Sequence, residues 1–195
     1  MLSYPIVGVA ALIYLLFRLW YYGLGRKASP AFIESTLQTL QQKNLDASRL
    51  QAIHTLLEQD DGKDLVMANL LKLKQPIAES RNKLTQYSKV FLGGALKRAT
   101  HPIVLATSVA GNLESLNTAE SDEWRIVFLV RYRSRTDMAK IILETIDSPH
   151  HNLKLEALEK TIGFPAAITS MMGGIKILVP LVIALSASIL HILFV

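Results

Sequence analysis

The 195-residue chain contains no cysteine, which excludes a disulfide framework and any thiolate metal site. It also lacks a phosphate-binding loop, a nucleophile elbow and a dinucleotide fingerprint, three common carriers of catalytic chemistry. Charge is missing from both ends: residues 5–17 carry none, and neither do residues 177–195. With 50% apolar residues and a net charge of +5, the chain is too apolar for disorder. If each end crosses a bilayer, which takes about 20 mostly apolar residues, about 150 remain for everything else.

The first apolar run, from about Tyr4 to Leu24, meets its first charge at Arg18 and ends in Trp20, Tyr21 and Tyr22, then Arg26 and Lys27. Aromatic rings and long cationic stems mark a membrane–water interface. Arg18 at the centre of a span costs about 2.5–3.5 kcal/mol, but near its end the guanidinium reaches the headgroups. No cation precedes the run and no small-residue cleavage site follows it, so it reads as an uncleaved anchor. The second run follows Met171, Met172, Gly173, Gly174, Ile175 and Lys176 and continues to Val195, with Pro180, Ser186, Ser188 and His191 inside it. Pro180 is expected near the first turn, where it removes an amide hydrogen that has no partner. Soluble helices carry a polar stripe, and neither run does.

Arg26, Lys27 and Lys176 all flank the spans on the side of the middle segment. The positive-inside rule then predicts an integral membrane protein with residues 25–176 cytoplasmic and both termini outside. Arg18 carries one of the five net charges, so the middle segment holds a surplus of four, too small to argue for nucleic acid. The lipid bilayer is the partner this charge suits.

Between the anchors, Ser29-Pro30 predicts a capped helix start followed by Ile33, Leu37 and Leu40 on one face. Asp46 predicts a second cap, with Leu50, Ile53 and Leu57 inward and Asp60-Asp61-Gly62 as the stop. His54, beside that stripe, reads as a packing residue. Residues 65–73 read as a buried strand and Glu79–Ala99 as a helix, weakened by Gly93-Gly94, a pair that suggests close packing against another element. Strands follow at Ile103–Val109, after His101-Pro102, and at Trp124–Tyr132. Ser134 with Asp137 predicts a capping box, and Met138, Ile141, Ile142, Thr145 and Ile146 an inward stripe. Asp147-Ser148-Pro149 interrupts that helix, His150–Lys160 resumes it, and Ile162–Ile168 is a candidate fourth strand that Pro165 makes an edge or irregular strand.

The order is strand, helix, strand, strand, helix, strand. It predicts an α+β, ferredoxin-like βαββαβ domain at residues 62–168, with a helical lead-in at 29–61 and anchors at 1–28 and 169–195. Helices cover one face of such a sheet. The other needs a second apolar surface, which a second copy supplies through a self-complementary twofold interface.

Four segments carry a resemblance: Met67-Ala68-Asn69-Leu70-Leu71-Lys72-Leu73; His101-Pro102-Ile103-Val104; the block from Trp124 to Arg135 ending Leu-Val-Arg-Tyr-Arg-Ser-Arg; and His150-His151 through Ala157-Leu158-Glu159-Lys160-Thr161 to Phe164-Pro165. In this order, over about residues 60 to 168, the chain resembles uncharacterised bacterial members of the dimeric α/β-barrel superfamily. That superfamily includes cofactor-free monooxygenases, lactone isomerases and heme enzymes, so the resemblance implies a fold and a dimer and leaves the chemistry open. The two anchors depart from its soluble members.

On the sheet face away from the helices, Asn69 would stand with Met67 and Leu71, and Arg131 would meet them from the third strand. An Asn and an Arg in an apolar cavity orient a carbonyl or carboxylate of a small lipophilic ligand. The alternative is that Arg131 pairs with a carboxylate across a dimer interface and Asn69 satisfies a backbone group. His150 and His151 are adjacent and so do not share a helix face, which makes them a poor metal pair, and no metal site is expected. His151 is the closer match to the superfamily's motif, which implies a general base or heme ligand; a helix-start or pocket-wall histidine is the plainer role. Arg131, Arg133 and Arg135 suggest phosphate binding or, as a strand-end cluster, a solvated rim. Two functions remain. One is a binding or accessory module at the cytoplasmic membrane face, a homodimer within a larger membrane complex. The other is a cofactor-light or heme-dependent enzyme acting on a lipophilic small molecule. No cofactor is named by the residues themselves.

Overall fold

The computed structural model describes residues 3–117, 123–170 and 173–194. In chain order the elements are α1 (Ser3–Tyr22), α2 (Pro30–Gln42), α3 (Ala47–Glu58), β1 (Leu65–Leu73), α4 (Ile77–Ala95), β2 (His101–Thr107), β3 (Ile126–Tyr132), α5 (Arg135–Thr145), α6 (Pro149–Ala157), β4 (Leu158–Ala167) and α7 (Ile175–Phe194). They form two compact units, residues 1–24 with 168–195, and residues 25–167.

In the first unit α1 packs on α7. Both helices are long and apolar enough to cross a membrane, over Tyr4–Tyr22 and Ile175–Phe194, and almost none of either is buried. α7 begins two residues before the expected start, so Pro180 lies inside the helix rather than in its first turn and forfeits one backbone hydrogen bond. Ser188 donates its hydroxyl to Ala184 O at 2.9 Å, returning the side chain to the helix backbone. Met171, Met172 and Val195 lie outside the described residues.

In the second unit the lead-in helices start where short polar side chains satisfy their first amides. Ser29 accepts from Phe32 N–H at 3.2 Å and Asp46 from Arg49 N–H at 3.0 Å. Buried Asp60 ends the lead-in: its two oxygens accept from Ala28 N–H and Gly62 N–H, each at 2.9 Å. Gly62 is required there, because its φ is +76° and a Cβ would stand 2.3 Å from Gly25 O. Both α2 and α3 pack on α5.

The sheet is antiparallel throughout, in the order β2-β3-β1-β4, which is the ferredoxin-like βαββαβ arrangement. In register, Leu65 faces Tyr132, Met67 faces Val130, Asn69 faces Phe128 and Leu71 faces Ile126. These residues share the face covered by helices, where Leu65, Val130 and Tyr132 pack with Ala95 of α4 and with Met138 and Ile141 of α5. A second cluster, Leu71, Leu73 and Leu158, lies at the other end of β1. Burial of Leu158 explains why β4 starts there instead of at Ile162: the residue belongs to the sheet core and cannot remain in α6. Pro165 sits opposite Met67 on β4, an edge strand, where its missing amide hydrogen costs no ladder bond on the open side.

Gly93 and Gly94 are not at a close contact, contrary to the sequence expectation. A Cβ built on either meets nothing within 4 Å, and α4 runs through both to Ala95. Gly94 instead borders a cavity of about 180 Å³.

Candidate functional site

Asn69 stands in the middle of β1 on the helix-covered face. Its amide donates to Met67 O at 3.2 Å and Phe128 O at 3.0 Å, so the side chain ties neighbouring strands together. Gly163 lies opposite on β4, and a Cβ there would come within 3.1 Å of Asn69 Oδ1. The glycine leaves room for the amide.

Arg131 lies on the other face, because its register partners are Val66 and His101. It is fully buried. Nε donates to Asp64 Oδ2 at 2.9 Å and Nη1 to Ala99 O at 3.1 Å. Asp64 is in the same chain, just before β1, so this carboxylate is not one supplied across a dimer interface. The structure therefore separates Asn69 from Arg131 by the thickness of the sheet. Alternation alone could not say which face the helices would take.

The arginines around Arg131 also engage their own chain, and the solvated-rim expectation is corrected on that ground. Arg133 Nε donates to Asp137 Oδ2 at 2.7 Å. Arg135 Nη1 donates to Leu56 O at 3.0 Å, and Nη2 lies 3.7 Å from Asp61 Oδ1. The Arg-x-Arg-x-Arg spacing places three guanidiniums where the lead-in, α5 and the end of the sheet meet, and each holds a carboxylate.

His151 sits in the first turn of α6, and its Nδ1 is buried with no hydrogen-bond partner among the described residues. Burial pushes its pKa down, with Lys154 and then Arg49 adding to the effect. Lys154, one turn further along α6, has its Nζ 5.8 Å from the centre of the Tyr87 ring, which stacks on Phe91 at 5.8 Å. Burial, then Arg49, lowers the Lys154 pKa. Burial raises the phenol pKa of Tyr87 and of Tyr132, the latter also feeling Tyr87. His151, Lys154 and Tyr87 are thus partly buried polar groups and Tyr132 a buried one, and the charge of exposed Arg49 acts on the first two. Sequence reasoning picked out His151 but missed Lys154, Tyr87 and Tyr132. The available signal was the i, i+3 spacing of His151 and Lys154, which puts them on one helix face. On α6 the neighbouring His150 points elsewhere, into the cavity of about 180 Å³ bordered also by Tyr87, Phe91, Gly94, Ile141 and Glu144. Among the described residues no group of His, Asp and Glu is arranged to hold a metal ion.

The sheet face away from the helices is apolar and open. Val104, Val127, Ile162 and Phe164 are 40%, 37%, 47% and 49% exposed. Ala68 and Leu129 lie between them, half-buried, opposite each other in register. The face's lysines, Lys72 and Lys160, are register partners at one end, and Lys72 pairs with Glu159 at 3.0 Å.

In the helix pair, the residues expected at a membrane interface gather at one end. Phe17 stacks on Tyr21 at 5.2 Å, and Trp20 lies 6.0 Å from Tyr21. The Arg18 guanidinium carbon and Lys176 Nζ each lie 5.6 Å from the centre of the Tyr22 ring. In the other unit Arg26 and Lys27 are exposed.

No family model and no curated protein matches the chain. Among solved structures it is similar to a protein of unknown function from Rhodopseudomonas palustris, at 13% identity and TM-score 0.45, over 66% of this chain and 96% of that one. It is also similar to a NIPSNAP-like domain protein from Burkholderia xenovorans, at 14% identity and TM-score 0.40, over 57% and 90% of the two chains. A third similarity is to a candidate antibiotic biosynthesis monooxygenase from Bacteroides thetaiotaomicron, at 12% identity and TM-score 0.35, over 59% and 96%.

Proposed function

We propose that the chain is a membrane-anchored binding or accessory module that works as a homodimer, its 25–167 unit held at the cytoplasmic face and paired with a second copy through the open face of the sheet. The observation that carries this reading is the apolar face containing Val104, Val127, Ile162 and Phe164. Fully burying a side chain of this kind is worth about 1.5–3 kcal/mol relative to leaving it exposed. A second copy suits the face because its lysines lie at one end: a twofold axis through the centre sends the two lysine pairs to opposite sides. Two anchors per chain confine the copies to one bilayer and raise their effective concentration. Asn69 and Arg131 spend these hydrogen bonds on the protein itself, which favours a role played through the open sheet face over a small ligand oriented by this pair.

The cysteine-free sequence makes the test clean. Ala68→Cys, at the centre of the face, is expected to cross-link into a dimer in native membranes under mild oxidation, whereas Lys89→Cys on exposed α4 surface is not. Adding Phe164→Lys is expected to abolish the cross-link. A wild-type chain of monomer mass in lipid nanodiscs, with no Ala68→Cys cross-link, overturns the reading.

A further inference from the structure

Lys154, in the last turn of α6, places Nζ 5.8 Å from the centre of the Tyr87 ring on α4. That is close to the limit of about 6 Å at which a ring face attracts a cation, so the hold on an ammonium is weak. Among the described residues no carboxylate is within ion-pair reach of Lys154. Glu156, two residues on, pairs with Lys83 at 3.0 Å, while Glu58 of α3 and its cap Asp46 pair with His54 and Arg49, each at 3.2 Å. Burial, then the positive charge of Arg49, lowers the pKa of the Lys154 amine. One turn back on the same face of α6, His151 has its Nδ1 buried without a hydrogen-bond partner among the described residues, and the charge of Arg49 acts on it too. This side of α6 therefore holds an amine without an acid beside an imidazole nitrogen without a partner.

We propose that Lys154 is a modification site for carbon dioxide, its Nζ forming a carbamate. The lone pair of the uncharged amine attacks the carbon of carbon dioxide, the electron pair of one C–O π bond moves to oxygen, and the nitrogen gives up a proton to water. Amine plus carbon dioxide thus gives carbamate plus a proton, with no oxidant, reductant or leaving group. An ammonium has no lone pair to offer, so the reaction favours the lysine whose charged form is least supported. Lys72 and Lys83, by contrast, hold their protons against Glu159 and Glu79, each at 3.0 Å. The product suits the position as well as the reactant does. A carbamate carries negative charge where the ammonium carried positive charge, so the repulsion between Lys154 and Arg49 becomes an attraction. Carbon dioxide is also small and uncharged, and a partly buried amine is open to it.

The test uses the full chain in lipid nanodiscs, equilibrated with isotopically labelled bicarbonate at neutral pH. Triethyloxonium then ethylates any carbamate to a stable ester, and peptide mass mapping locates it. Lys154 is expected to carry the labelled ethyl carbamate at several-fold higher occupancy than exposed Lys89 and Lys97. Arg49→Glu, which supports the ammonium and repels the carbamate, is expected to lower the occupancy at Lys154 several-fold, whereas Arg49→Lys keeps it. Thermal unfolding reads the same reaction without a trap. In the unfolded chain Lys154 is an ordinary lysine and reacts less, so dissolved carbon dioxide at fixed pH and ionic strength is expected to raise the Tm of the wild type and not that of Lys154→Arg. Occupancy at Lys154 no higher than at Lys89 and Lys97 overturns the site. So does an occupancy that Arg49→Glu leaves unchanged, or an equal Tm response of the wild type and Lys154→Arg.

Discussion

A fully buried guanidinium is tolerable only because its charge and donors are met, and in Arg131 they are met by Asp64 and by Ala99 O. Arg131→Met leaves Asp64 without this partner in a site of limited solvent access and is expected to cost about 3 kcal/mol in urea unfolding of the full chain in micelles. The double change Arg131→Met/Asp64→Asn is expected to cost less, because no charge is then abandoned. His151 poses the opposite problem, a group whose charged form its surroundings disfavour. Burial, Lys154 and Arg49 all lower its pKa. An imidazole that is harder to protonate when folded than when unfolded makes stability fall as pH drops below about 6.5, the ordinary imidazole value, until the lowered folded value is passed. His151→Asn is expected to flatten this part of the pH–stability curve between pH 7 and 5, measured by thermal unfolding; an unchanged slope assigns it to another group. The residue types at these positions were visible in the sequence, but their partners were not. Asp64 meets Arg131, and Asn69 meets Phe128 O, only once the β1–β3 register is set.

At the scale of elements, local chemistry told most of the story. Ser29, Asp46 and Ser134 each cap the helix that their sequence context announced, because the bond they make spans only a few residues. Boundaries set by tertiary burial were not legible in this way: α6 gives way to β4 at Leu158 because that side chain is needed in the core beside Leu71 and Leu73. Gly93 and Gly94 show the same limit from the other side, since a glycine pair signals room without saying whether a neighbour fills it. Ser134 accepts from Asp137 N–H at 3.0 Å and donates to its Oδ2 at 3.1 Å, while that oxygen also receives Arg133 at 2.7 Å. Ser134→Ala is expected to cost about 1 kcal/mol of unfolding free energy. Asp137→Ala is expected to cost more, because it removes the Arg133 ion pair as well.

For the whole molecule, the missing charge at the two ends outweighs any single motif, because a helix that is apolar all round has no soluble surface to present. The apolar residues divide between two tasks, the exposed sides of α1 and α7 and the alternating faces of β1–β4, and only their distribution along the chain separates the two. The proposed orientation rests on a few side chains. Arg26 and Lys27 follow α1 and Lys176 opens α7, so all three cations sit at span ends that join the 25–167 unit. Keeping them on the cytoplasmic side sends both termini outward. A phosphatase that works only outside the cytoplasm, fused after the last residue, is therefore expected to be active, and a fluorescent protein that matures only in the cytoplasm is expected to be dark at the same place. Replacing Arg26, Lys27 and Lys176 by Gln and adding two lysines ahead of Tyr4 shifts the cation excess to the other end of α1, and is expected to reduce the phosphatase signal and raise the fluorescence. A fluorescent, phosphatase-silent fusion in the unaltered chain reverses the orientation, and loss of both signals on carbonate washing removes the anchors altogether.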